Sequence, residues 1–238
     1  MTLVGGAGGP GGPGGGLRRV VLISGAPGAG KSTLAGPLAA ELGFALLTKD
    51  RIKETLHNAL APGAPRPWLP DGPGLSAGPG LPDGSGLPDG LPAAAAPELP
   101  EAGRPPAGPV SLAWSRWLGG ASMELLWTLA SDMPAVVLEA NFRPRLAYER
   151  GRIMALNAAM VEVNCSCPAA LAADRYHARA AARHPVHVVS RLTPEQLAEY
   201  DRPIGIGQLI SVDTAGPVDV AELAAAVRAL LPAQAESI

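Results

Sequence analysis

Residues 25–32, Gly25-Ala26-Pro27-Gly28-Ala29-Gly30-Lys31-Ser32, decide how this chain is read. They satisfy G-x-x-x-x-G-K-[ST], the pattern of a loop that cradles phosphate. The glycines let the backbone curl so that successive N–H groups point into one concavity. A helix opening directly after the loop adds the positive end of its dipole. Lys31 supplies a point charge for the outer phosphates, Ser32 a hydroxyl for a magnesium ion, and Thr33 lies near the outer phosphate. The context agrees with the motif. Arg18–Ser24 is a short β-branched run that predicts a buried strand. Lys31–Leu42 predicts a helix stopped by Gly43.

Working outward, short apolar runs alternate with helical segments. Strands are expected at 44–48, 135–140, 161–165 and 209–212, and helices at 51–60, 144–160, 168–182 and 218–231. The apolar pattern of Leu112–Leu129 predicts a further helix, bent or broken at Gly119-Gly120. Pro144 is placed in the first turn of its helix. This alternation predicts an α/β fold with a parallel sheet covered on both faces.

Composition divides the chain. Of 238 residues, 30 are Gly and 26 Pro. Residues 1–16 hold nine Gly and two Pro, and residues 62–109 hold ten Gly and fourteen Pro. The other 174 residues are compositionally ordinary and suffice for one domain with a sizeable core. The reading is therefore a flexible tail at 1–16 and a domain over 17–238, interrupted by a disordered insertion at 62–109. A net charge of −2 provides no global basic field, so a nucleic-acid partner is not favoured. Sixteen of the 19 cations are Arg and only three are Lys. Cys165 and Cys167 are too close for a disulfide and too few for zinc, which makes the reducing cytoplasm the default. No apolar run reaches the length of a membrane span.

Ligands collect at the carboxyl ends of parallel strands. Asp50 stands at such an end, placed to cap the following helix and to accept a proton from an acceptor hydroxyl. Arg51 or Lys53 could hold an acceptor phosphate or carboxylate. Glu139 closes the apolar run Val136–Leu138, as the metal-binding acid of a Walker B strand does, and Asn141 could reach substrate or a metal-bound water. Arg175, Arg179 and Arg183 are spaced i, i+4, i+8, which puts them on one helical face. Arg183 runs into His184-Pro185-Val186-His187, read as an exposed loop. Together they describe a mobile lid whose arginines neutralise charge on a transferred phosphoryl group.

These residues together resemble a known group. SGAPGAGKSTLA, TKDRIKE, VVLEANF and CPAALAADRYHARAAARHPVH, in that order, look like the small P-loop kinases of the AAA-type ATP-binding group. That group is related to zeta toxins, chloramphenicol phosphotransferase and the kinase half of polynucleotide kinases. The resemblance implies a three-layer P-loop NTPase sandwich with sheet order 2-3-1-4-5. It implies ATP and Mg²⁺ as cofactors, Asp50 as the acceptor-activating residue, and adenine lying against Asp213–Gly216. It also implies transfer of the ATP γ-phosphate to a hydroxyl of a small-molecule or nucleotide-like acceptor; the enzyme is expected to be a cytoplasmic monomer. The chain departs from the group in the insertion, which falls in the acceptor region, and in Glu139, where an aspartate is commoner. The alternative is an ATP-hydrolysing switch or partner-binding module without an acceptor.

Overall fold

A computed structural model describes residues 17–60, 110–189, 191–193, 196–197, 199–200 and 202–232. The expected tail at 1–16 and the insertion at 62–109 lie outside the described residues. Five strands form one all-parallel sheet. They are β1 (Arg19–Ser24), β2 (Ala45–Thr48), β3 (Ala135–Glu139), β4 (Ala159–Ser166) and β5 (Gln208–Asp213). Their order is β2-β3-β1-β4-β5, as the resemblance implies. The helices are α1 (Lys31–Leu42), α2 (Lys49–Leu60), α3 (Leu112–Asp132), α4 (Ala147–Ala155), α5 (Ala169–Ala178) and α6 (Val220–Leu230).

The sheet's two-residue period sorts the core into two layers. Val21 and Ile23 of β1, Val137 of β3, and Val161 and Val163 of β4 pack with Leu34 and Leu38 of α1 and Leu223 and Val227 of α6. Val20, Leu22, Val136 and Leu138 point the other way, onto Leu126 and Trp127 of α3 and Ile153 of α4. Both faces are thus covered, giving the three layers that a buried parallel sheet requires. A third cluster of Trp114, Leu118 and Val186 seals α3 against the segment after α5. The tryptophans of α3 therefore serve the core; Trp114 also stacks on Trp117 with ring centroids 5.0 Å apart.

One buried carboxylate is fixed by its surroundings. Glu162 of β4 is fully buried and accepts hydrogen bonds from Ser24 Oγ, from Ile204 N at 2.8 Å and from Gly205 N at 2.9 Å. Each bond answers part of the desolvation cost of the group. The network ties the end of β1, which enters the phosphate-type loop, to the segment before β5.

Four expected details differ. Helix α3 runs unbroken through Gly119-Gly120, because each glycine costs only about 1 kcal/mol in a helix packed on two sides. Pro144 precedes α4 rather than entering it. Glu149 accepts from Arg143 N at 2.7 Å and Nε at 2.8 Å, which holds residues 143–146 as a turn. Helix α2 begins at Lys49, so Asp50 lies inside its first turn instead of capping it. Helix α5 ends at Ala178 and gives way to a 3₁₀ turn at Ala180–Ala182, so Arg183 leaves the face shared by Arg175 and Arg179.

Candidate active site

The loop between β1 and α1 is shaped by close backbone packing. Gly28 has φ +87°, and a Cβ there would stand 2.0 Å from Ala172 O of α5. Both the left-handed conformation and the contact exclude a side chain. Gly28→Ala is expected to destabilise the fold by about 1–3 kcal/mol and to abolish nucleotide binding. A melting temperature within a degree or so of wild type would contradict this reading of the loop. The other edge is held by Thr214, whose single hydroxyl hydrogen lies between two carbonyl acceptors, Ala29 O at 2.7 Å and Ser166 O at 2.8 Å from Oγ1.

Lys31 opens α1 and is buried. Its Nζ donates to Gly25 O and Ala26 O, each at 2.8 Å. Burial lowers its pKa to about 8, against the opposing attraction of Glu139. Ser32 Oγ donates to Glu139 Oε1 at 3.3 Å, which brings the hydroxyl of α1 to the acid at the end of β3. Burial pushes the Glu139 carboxyl above its ordinary range, with Lys31 pulling it back. This pair of hard oxygen donors beside the loop fits Mg²⁺, which takes one or two protein oxygens and completes its shell with phosphates and water. Among the described residues no cluster of three His, Cys, Asp or Glu offers an all-protein metal cage.

A cavity of about 640 Å³ opens in front of the loop. Its walls carry Gly28, Gly30, Lys31, Ser32, Asp50, Lys53, Glu139, Asn141, Arg179 and Arg183, candidate residues from four separate segments of the sequence. Asp50 forms an ion pair with Lys49 at 3.3 Å, and its side chain is half exposed toward the cavity. Enclosure pushes its pKa up, but Lys49, His187 and Lys53 outweigh that, and the net position is below the ordinary aspartate value. Asp50 is therefore an anion ready to accept a proton. Arg183 stacks on the Tyr176 ring at 3.6 Å from its centroid. Arg179 Nε donates to Arg175 O at 3.2 Å.

Two expected substrate residues stand apart. Arg51 is exposed on α2 and does not line the cavity. Arg175 donates to Thr214 O at 2.9 Å and to Ala215 O at 3.1 Å. It lines a second, largely apolar cavity of about 600 Å³ with Thr33, Leu34, Pro37, Gly216, Pro217 and Val218. That cavity shares Gly28, Gly30 and Arg179 with the first, and the two meet at the loop.

The segment 184–187 is docked, where the sequence predicts an exposed loop. Val186 is fully buried, His184 Nε2 lies 2.9 Å from Asn58 Oδ1, and His187 Nε2 lies 2.9 Å from Glu54 Oε1. His57 meets His184 edge-on at 5.3 Å. Trp114 and Leu118 supply the apolar bed that pulls Val186 in, a long-range effect absent from the local HPVH pattern. Burial holds His57 and His187 below the ordinary imidazole value. An unfolded chain protonates these rings near pH 6.5 and the folded one only below that. As pH falls through about 6.5 the unfolded state binds more protons, so stability falls. The melting temperature should drop between about pH 7.5 and 5.5, and His57→Gln/His187→Gln should flatten the drop. Equal slopes would contradict the assignment.

Sequence reasoning missed Lys49, Glu54, Ser115 and His187 as cavity residues. Lys49 and Glu54 lie in the TKDRIKE segment, and their helical spacing to Asp50 and Lys53 could have found them. Nothing local to Ser115 or His187 announces their arrival at the site.

No protein-family model and no curated protein sequence matches the chain. Solved structures do. A Chloroflexus aurantiacus protein assigned provisionally as a kinase aligns with TM-score 0.63 and 22% identity, over 91% of this chain and all of that one. A Janibacter sugar kinase aligns with TM-score 0.48 and 16% identity, over 90% of this chain and 96% of that one. The shikimate kinase of Acinetobacter baumannii, solved with shikimate, gives 0.46 and 15%, over 90% and 92%. The first of these shares the fold, a five-stranded parallel P-loop NTPase sandwich in the order 2-3-1-4-5. No helix among the described residues is long and apolar enough to cross a membrane.

Proposed function

We infer that this protein is an ATP-dependent phosphotransferase that moves the γ-phosphoryl group of ATP to a hydroxyl of a small molecule. The observation that carries the reading is one cavity in which Lys31 and Ser32 of the loop face Asp50 of α2. A phosphate-binding element alone would serve a switch equally well. An ionised carboxylate across the same cavity, with room beside it for a second molecule, is what an acceptor hydroxyl needs.

Loop amides and Lys31 hold the phosphates, with Arg179 and Arg183 facing them from the segment after α5. Ser32 and Glu139 would hold Mg²⁺, which neutralises charge between the β- and γ-phosphates when bound. Asp50 orients the acceptor hydroxyl and takes its proton as the oxygen bonds to the γ-phosphorus. The bond to the leaving oxygen of ADP breaks in the same displacement. Asn141 lines the same cavity two residues beyond Glu139 and would help to position the acceptor. The second cavity, on the Thr214–Val218 side, is suited to the base of the nucleotide. We place the enzyme in the cytoplasm as a monomer.

The test is product identification. The protein is incubated with ATP, Mg²⁺ and a pool of small metabolites, and products are read by mass spectrometry. The reading expects at least one metabolite to gain a phosphoryl group, only when Mg²⁺ is present. ADP and inorganic phosphate as the sole products would favour the switch.

A further inference from the structure

The chain holds only three lysines, Lys31, Lys49 and Lys53, against sixteen arginines. All three line the active-site cavity. Elsewhere in the chain every fixed cation is an arginine, so lysine is used where its slender stem and compact three-donor head can enter a wall. Lys31 belongs to the phosphate loop. The other two stand one helical turn apart on α2, at i and i+4, with both ammoniums on the acceptor side of the cavity.

Their surroundings are unusual for a structural pair. Lys53 is 6% exposed, yet among the described residues its Nζ meets no carboxylate within 4.0 Å; it donates to Ser115 Oγ at 2.8 Å. That hydroxyl is itself committed, donating to Val186 O at 2.6 Å. Two of the three ammonium hydrogens are left for the cavity. Burial, and after it the neighbouring Lys49 charge, lower the Lys53 pKa to about 8, against the opposing pull of Asp50 and Glu54. Lys49 is already paired with Asp50 at 3.3 Å, so Lys53 is the buried ammonium without a direct carboxylate partner, and an added anion reaching both lysines would offset its burial.

We propose that Lys49 and Lys53, with Ser115 positioning Lys53, form an anion subsite that holds a carboxylate or phosphate carried by the acceptor alcohol. The proposal rests on the phosphotransferase reading for the word acceptor, and on the geometry alone for the subsite. Asp50 lies between the two lysines in sequence, so an acceptor anchored by its anion would present a hydroxyl to that carboxylate. The acceptor is thus an anionic alcohol such as a sugar phosphate or a hydroxy acid, and neutral sugars are poor substrates.

Three lysines make the test clean. The full chain is labelled with ¹³C at lysine Cε, giving three side-chain signals assigned through Lys→Met variants. The phosphate loop is filled with a non-hydrolysable ATP analogue and Mg²⁺, and Lys53 is titrated in inorganic phosphate or in chloride of equal ionic strength. The Lys53 midpoint is expected to rise by about one pH unit or more in phosphate, with Lys49 following, and Ser115→Ala should reduce the rise. Identical midpoints in the two salts would overturn the subsite. A second arm compares kcat/KM for matched alcohols, glycerol against glycerol 3-phosphate and glucose against glucose 6-phosphate. Preference for the phosphorylated member by tenfold or more supports the proposal. Equal turnover of both members overturns it while leaving the phosphotransferase reading intact. A Lys53 shift in phosphate with no alcohol phosphorylated would sustain the subsite and remove the phosphotransferase reading.

Discussion

Lys31→Met should lower kcat/KM for ATP by at least about a hundredfold, or roughly 3 kcal/mol of transition-state stabilisation. Methionine keeps the stem's packing and removes only the ammonium, the charge nearest the place where negative charge develops. The fold should not suffer. Lys31 is buried with its pKa lowered to about 8, so its charge costs free energy in the folded state. What it gains in return is two hydrogen bonds to Gly25 O and Ala26 O. The melting temperature of the variant should therefore equal or exceed that of wild type. Separating the two readouts is the point of the variant. A large loss of stability with modest loss of turnover would mean that Lys31 is a brace for the loop and not a phosphate ligand.

Asp50→Asn should reduce phosphoryl transfer by about 10²–10⁴-fold while ATP affinity is kept. The amide preserves size and hydrogen bonding but cannot take the acceptor's proton. The electrostatics add a second signature. Lys49, His187 and Lys53 hold Asp50 below the ordinary aspartate pKa, despite the opposing effect of burial. The base is then ionised at every pH above about 4, and Asp50 should impose no acid limb on kcat/KM in the neutral range. An inactive variant that also fails to bind nucleotide would place Asp50 in the fold of α2 and not in the chemistry.

Much of this site is legible without the fold, because the chemistry concentrates in short contiguous motifs. The phosphate loop is local: its glycines, Lys31 and Ser32 are neighbours in sequence and remain so in space. Asp50 is legible as an acid just past a strand's carboxyl end and Glu139 as one closing an apolar run, and a parallel sheet brings all strand ends to one edge. Their meeting with Ser32 and Lys31 follows from the order β2-β3-β1, which sets β3 between the other two. The arginines are harder. A spacing of four residues implies one helical face only while the helix lasts, and α5 stops at Ala178. Arg175 therefore serves the loop after β5 while Arg183 turns onto Tyr176. The docked segment 184–187 is not legible. Val186 is buried by Trp114 and Leu118, far away in sequence, and no local pattern encodes that contact. Lys53 illustrates both cases. Its place on the Asp50 face is readable from helical periodicity, whereas its burial against Ser115 requires α3 to be in place.

The proposed chemistry is transfer to a second molecule and not hydrolysis. The most direct measurement follows γ-labelled ATP incubated with wild type or Asp50→Asn in the presence of pooled anionic alcohols. Label is expected on an organic acceptor with wild type, reduced by at least about a hundredfold in the variant. Label appearing only as inorganic phosphate, at the same rate in both proteins, would contradict it.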